Sequence, residues 1–139
     1  MNNFYFDKKN CINIKSQNYF LKSNTYLTNE VFRFGGINSI RGFTENSLQA
    51  NYMSSIITEY RYLISTNLQR NSIIDYCYYK DPTTTPEKNK INKTISLGLG
   101  ITVDTKNGIL KLAAANGSTG NQEIRFHNTF ININYNVKF

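Results

Sequence analysis

The chain has no tryptophan, a single histidine, two prolines and two cysteines, and each shortage removes a class of reading. No stretch approaches the roughly 18 consecutive apolar residues that a membrane-crossing helix requires. The mean hydropathy of -0.46 does not exclude membrane-spanning strands, which alternate apolar with polar residues so that averaging hides them. Cys11 and Cys77 lie far apart, with neither CxxC nor Cys/His ligand spacing, so metal and redox chemistry are not expected. They read as two small, semi-apolar side chains on strands. His127 falls on the outward parity of its strand beside a loop and reads as an interfacial side chain. No glycine-rich phosphate loop and no carboxylate pair at catalytic spacing stands out. The chain is therefore expected to be no enzyme and to use no cofactor.

Acids are scarce too, nine against sixteen Lys and Arg, giving a net charge of +7. Such a balance can mark a nucleic-acid or anionic-lipid partner. Here the basic residues are scattered, and the densest group (Lys80, Lys88, Lys90, Lys93) shares one polar loop with both prolines. These read as solvated loop charges, and nucleic acid is not expected as a partner.

What the chain has is period-two alternation, with no convincing helical period. Residues Thr94 to Asp104 show it best: Ile95, Leu97, Leu99, Ile101 and Val103 form one face, and Ser96, Gly98, Gly100 and Thr102 lie on the other. In a soluble sandwich the apolar face would be the core. In a membrane barrel it would face lipid, with the small polar face lining the lumen. Further strands are predicted over Cys11 to Leu21, Asn51 to Ile64, Asn71 to Tyr79, Gly108 to Ala115 and Arg125 to Phe139. The last ends with Ile133, Tyr135, Val137 and a terminal Phe139 alternating with asparagines, and resembles the C-terminal signal of outer-membrane barrels.

The connections add a second signal. A short turn at Ser65 to Gln69 is followed by a long loop, Lys80 to Lys93. Then comes the tight Thr105-Lys106-Asn107-Gly108 turn, where Asn-Gly favours a type I′ hairpin, and a longer loop at Asn116 to Glu123. Strict alternation of short and long connections is the habit of membrane barrels, with turns on the periplasmic side and loops facing outward.

Between the first strand and Asn51 lies Phe34-Gly35-Gly36, a short spacer, then Ile40-Arg41-Gly42-Phe43. With the strands that follow, this run resembles the inward-folded loop of the BamA/TamA (bacterial surface antigen) family, from about Tyr26 to Phe139. In that family the loop arginine packs inside the barrel against a glutamate on the next strand and an aspartate on the strand after. Glu59 and Asp75 stand at those positions, and alternation alone already puts both on the polar face. An arginine can fork onto carboxylates through several charge-assisted hydrogen bonds. The alternative is that the acids pair locally, with neighbours such as Arg61.

The resulting expectation is an all-β, antiparallel up-and-down meander of about six strands, the C-terminal segment of a transmembrane β-barrel. Residues 1–139 would form this partial domain, with an inward-folded loop at about 31–50 and the last strand at about 125–139. The resemblance implies a role in inserting or translocating proteins at the bacterial outer membrane. It implies as partners outer-membrane lipid or lipopolysaccharide, client outer-membrane or secreted proteins, and the early strands and POTRA domains that precede such a barrel. No export signal is seen at Met1 to Asp7, so a fragment of a longer protein is expected. The rival readings are a passive barrel or surface antigen with a structural or pore role, and a truncated relic without function.

Overall fold

Alternating side chains, rich in Ile, Tyr, Phe and Thr, make strands of most of the chain. The computed structural model describes residues 2–24, 26–27, 29–83, 90–120, 123–125 and 128–138. Its strands are β1 (Asn2–Tyr5), β2 (Asn10–Phe20), β3 (Phe32–Phe34), β4 (Leu48–Ala50), β5 (Tyr52–Ser65), β6 (Leu68–Lys80), β7 (Ile91–Thr105), β8 (Gly108–Ser118) and β9 (Phe130–Val137). Seven of them form one antiparallel meander in the order β1-β2-β5-β6-β7-β8-β9, and β3 pairs with β4 alone. The sheet is not closed: β1 and β9 each have one neighbour.

The two faces of this sheet are opposite in character. On the open face lie Ile56, Tyr60, Tyr62, Ile74, Tyr76, Ile95, Leu97, Leu99, Ile101, Ile131, Ile133, Tyr135 and Val137, all exposed, with Leu99 at 56% and Ile131 at 75%. Register joins them into rungs such as Ile56, Tyr76 and Ile95, or Ile101, Leu112 and Ile133. The other face is covered by residues 31–50. There Ser55, Asp75, Cys77, Thr94, Ser96, Ala113 and Ala115 are buried. The core lies between the two layers. Phe34, Ile40 and Phe43 from the covering segment pack with Met53, Ile57, Cys77 and Tyr79 from the sheet.

Parity fixes this arrangement. A period of two places every second side chain on one face, so Glu59 and Asp75 share the covered face with Met53 and Ile57. Aromatic contacts anchor the covering segment: Tyr19 stacks on Phe32 at 4.6 Å, and Phe34 meets Tyr79 edge-on at 5.1 Å.

The seven strands of the main sheet fit the expected six or so, and Asn2–Tyr5 is an added edge strand whose residues are all exposed and show no burial pattern. Several expectations need correction. The last strand is Phe130–Val137 rather than 125–139. Before it the chain turns, with the Asn128 N–H donating to the Arg125 carbonyl at 2.9 Å and the Asn116 amide donating to that same carbonyl. β8 reaches Ser118, so Asn116 and Gly117 are strand residues, not loop. Neither Lys106 nor Asn107 has positive φ, so the hairpin is not type I′. The Thr105 hydroxyl instead donates to the Gly108 carbonyl at 2.7 Å and accepts the Gly108 N–H at 3.1 Å. His127 and Phe139 lie outside the described residues.

The alternation of connections holds along the whole sheet. Residues 6–9, 66–67 and 106–107 are short turns at one end; 21–51, 81–90 and 119–129 are long connections at the other.

Candidate functional site: an arginine-held segment on the covered face

The covering segment leaves β3 through two glycines that both need the left-handed region, Gly35 at φ +110° and Gly36 at φ +96°. A side chain at either would be strained. The chain then makes a tight turn in which Ser39 donates to the Gly36 carbonyl at 3.2 Å and Gly36 to the Ile40 carbonyl at 3.0 Å. This turn buries Ile40 completely and presents Arg41 to the sheet.

Arg41 grips Asp75 with a fork. Its Nε donates to Oδ2 at 2.8 Å and Nη2 to Oδ1 at 2.6 Å, and its backbone N–H reaches Oδ2 at 3.2 Å. Nη1 donates to Glu59 Oε2 at 3.1 Å, and Nη2 also reaches the Thr58 carbonyl at 3.4 Å. The Asp75 side chain is fully buried and that of Arg41 nearly so. Register explains the reach. Asp75 lies opposite Ile57, and Glu59 opposite Ile73, so the acids are diagonal neighbours, a separation of roughly 7–8 Å. One guanidinium spans that gap.

Glu59 is shared. Its Oε1 accepts from Arg61 Nε at 2.9 Å, so the local pairing and the long-range pairing coexist. Two arginines thereby face two carboxylates, leaving the cluster without net charge. Burial alone would lower the pKa of Arg41. The hydrogen bond and charge of Asp75, followed by those of Glu59, outweigh it and raise the pKa above its usual value.

The next two residues are held by shape. Gly42 has φ +83°, and a Cβ there would stand 2.6 Å from the backbone of Asn116 and Gly117 and 2.9 Å from Ser96 Oγ. Conversely, a Cβ on Gly117 would meet the Phe43 ring at 2.3 Å. The segment is thus keyed to β7 and β8 by a glycine on each side, as well as to β5 and β6 by charge.

Gly35, Gly36, Ile40, Arg41, Gly42, Phe43, Glu59 and Asp75 are therefore brought together. Ile133, Tyr135 and Val137 are not part of the cluster; they lie exposed on the open face of β9. Gly117 and Ser96 are partners that the sequence reading missed. The period-two run of small residues Ala113, Ala115 and Gly117 was the signal that could have found Gly117. Among the described residues no group of three or more His, Cys, Asp or Glu could hold a metal ion, and Cys11 and Cys77 are both free. The arrangement binds and positions a backbone segment. Comparison with protein-family models, with curated proteins and with solved structures gave no match.

Proposed function

We propose that this chain is the C-terminal part of a transmembrane β-barrel of the BamA/TamA type, acting without covalent chemistry in insertion or translocation of proteins at the bacterial outer membrane. The observation that carries the reading is the inverted polarity of the sheet. Rungs of Ile, Leu and Tyr are exposed while an Arg-Asp-Glu cluster is buried. In water that pattern leaves a contiguous apolar surface uncovered, and large patches of that kind mark interaction or membrane surfaces rather than the free surface of a soluble monomer. Against lipid it is the ordinary solution.

Dimensions agree. On β5 the aromatic positions of the open face run from Tyr52 to Tyr62. Ten residues at ~3.3 Å each span roughly 33 Å along the strand. At a tilt of ~40° this is about 25 Å across the bilayer, the height of the apolar band between aromatic girdles. Long connections gathered at one end and short turns at the other fit a barrel whose loops face outward. The contacts of Arg41 with Asp75 and Glu59 support the roles that the family resemblance implies for the Ile40-Arg41-Gly42-Phe43 loop. The residues of this loop also fill the covered face beside β5 to β8, which favours this reading over an open passive pore.

The open edge supports the insertion role. The outer side of β9 offers eight residues of main chain without a neighbour in the sheet, and such an edge recruits an added strand through backbone hydrogen bonds. Reconstitution into phosphatidylcholine vesicles tests both parts. The chain is expected to float with the vesicles after alkaline extraction and to speed assembly of a separate barrel substrate relative to empty vesicles. A monomer that remains in the aqueous fraction contradicts the barrel. Flotation with no acceleration contradicts the insertion role.

A further inference from the structure

At the end of the sheet that carries the long connections, the open face holds a cleft of about 540 Å³. Phe20, Tyr26, Tyr52 and Tyr78 wall it, with Asn51, Lys80 and Ile91 completing the lining. The aromatics form a ladder: Phe20 meets Tyr52 edge-on at 6.3 Å, Tyr52 lies 5.9 Å from Tyr78, and Tyr78 lies 6.5 Å from Tyr76. Tyr76 shares its rung with Ile56 and Ile95, so the contact of Tyr78 with Tyr76 joins the cleft to the apolar rows below.

Two lysines stand at this end of the sheet. Lys80 stands opposite Tyr52 and Ile91, and Lys93 opposite Tyr78. Neither ammonium takes part in a salt bridge among the described residues. The carboxylate next in sequence, Asp81, accepts from the Thr83 N–H at 2.8 Å and the Thr83 hydroxyl at 2.6 Å.

We infer that this cleft binds the phosphorylated headgroup of an anionic lipid, with the acyl chains running down over Tyr76, Ile56 and Ile95. The inference rests on the reading of the open face as lipid-facing. Tyrosines favour the headgroup level of a bilayer, and each lysine near that level attracts anionic lipid by about 1 kcal/mol. The occupant is a lipid rather than free phosphate because the aromatic walls continue into the apolar rungs. An inorganic ion would leave them uncovered.

Calorimetric titration of the full chain in dodecylmaltoside micelles tests this, with dihexanoylphosphatidic acid, dihexanoylphosphatidylcholine and inorganic phosphate as probes. The phosphatidic acid is expected to bind at least about five-fold more tightly than either of the others, and Lys80→Gln to remove about five-fold of its affinity. Lys138→Gln, a charge-matched change at the opposite end of the sheet, should leave it unchanged. Equal binding of the two lipids overturns the site, as does phosphate binding as tightly as the phosphatidic acid. So does a loss from Lys80→Gln no greater than that from Lys138→Gln. Vesicle flotation reports separately on the open face. Flotation without headgroup selectivity overturns this site and leaves the barrel reading standing.

Discussion

Replacing Arg41 with alanine is expected to destabilise the protein by about 3–5 kcal/mol, the usual effect of removing one partner from a buried ion pair. The size of the effect comes from what is left behind. Asp75 has no exposed side-chain surface, and its two oxygens accept three hydrogen bonds from Arg41 alone. Alanine keeps the backbone N–H but removes both side-chain donors, stranding a carboxylate in the interior. Glu59 should suffer less, because Arg61 still holds Oε1. Urea titration of the reconstituted protein, with limited proteolysis of residues 31–50 in parallel, measures both consequences. Loss of stability should come with faster cleavage of the segment. The double change Arg41→Ala with Asp75→Ala should recover part of the loss, since removing both partners leaves no charge unpaired. If Arg41→Ala alone is neutral, the segment is held by packing and the glycine contacts, not by charge.

The second large effect is predicted on the opposite face. Leu99 sits in the middle of the apolar run of β7, with Ser72 and Ala114 beside it on its rung, and is more than half exposed. Leu99→Arg at such a site in a bilayer costs about 2–4 kcal/mol near the midplane. In a water-soluble sheet the same exposed substitution would fall within about 0.5 kcal/mol of neutral. The two environments therefore predict different outcomes for one mutation. Comparing urea midpoints of wild type and variant in vesicles reads the difference directly. Arginine placed instead at Asn134, on the covered face of β9, is expected to be tolerated, because that face is already polar.

These effects bear on how much the sequence made legible. Parity was the strongest signal. Alternation from Thr94 to Asp104 assigned Ile95, Leu97, Leu99 and Ile101 to one face, and in the structure all four are exposed together. It could not say whether that face was core or exterior, because period two is the same for either. Only the burial of Asp75 and Ser96 on the other side resolves the choice. Glu59 and Asp75 were legible as neighbours for the same reason: both acids fell on one parity of consecutive strands. Their diagonal offset was not legible, since register depends on where the two-residue turn at 66–67 closes and on the bulge between Leu63 and Ser65.

Other features left weaker traces. Asn2–Tyr5 is a strand only through its pairing with Cys11 to Ile14; all four residues are exposed, so no hydrophobic pattern marks it. The Asn107-Gly108 pair suggested a type I′ turn, but Gly108 is taken up as the first residue of β8 opposite Thr105. Local turn preference yielded to strand pairing. Asn116 and Gly117 look like a turn sequence, yet Gly117 is a strand residue whose missing side chain makes room for Phe43. Tertiary fit, not local propensity, explains that glycine.

The account depends most on which solvent meets the open face, and the absence of tryptophan allows that to be read with a single reporter. Tryptophan is introduced at Leu99 on the open face, or at Lys111 on the covered face, and the protein is reconstituted in vesicles brominated deep in the acyl chains. The prediction is strong quenching by bromine at position 99 with little quenching by aqueous iodide, and the reverse at position 111. Iodide quenching at position 99 as strong as at 111, with no response to the brominated lipid, would contradict it.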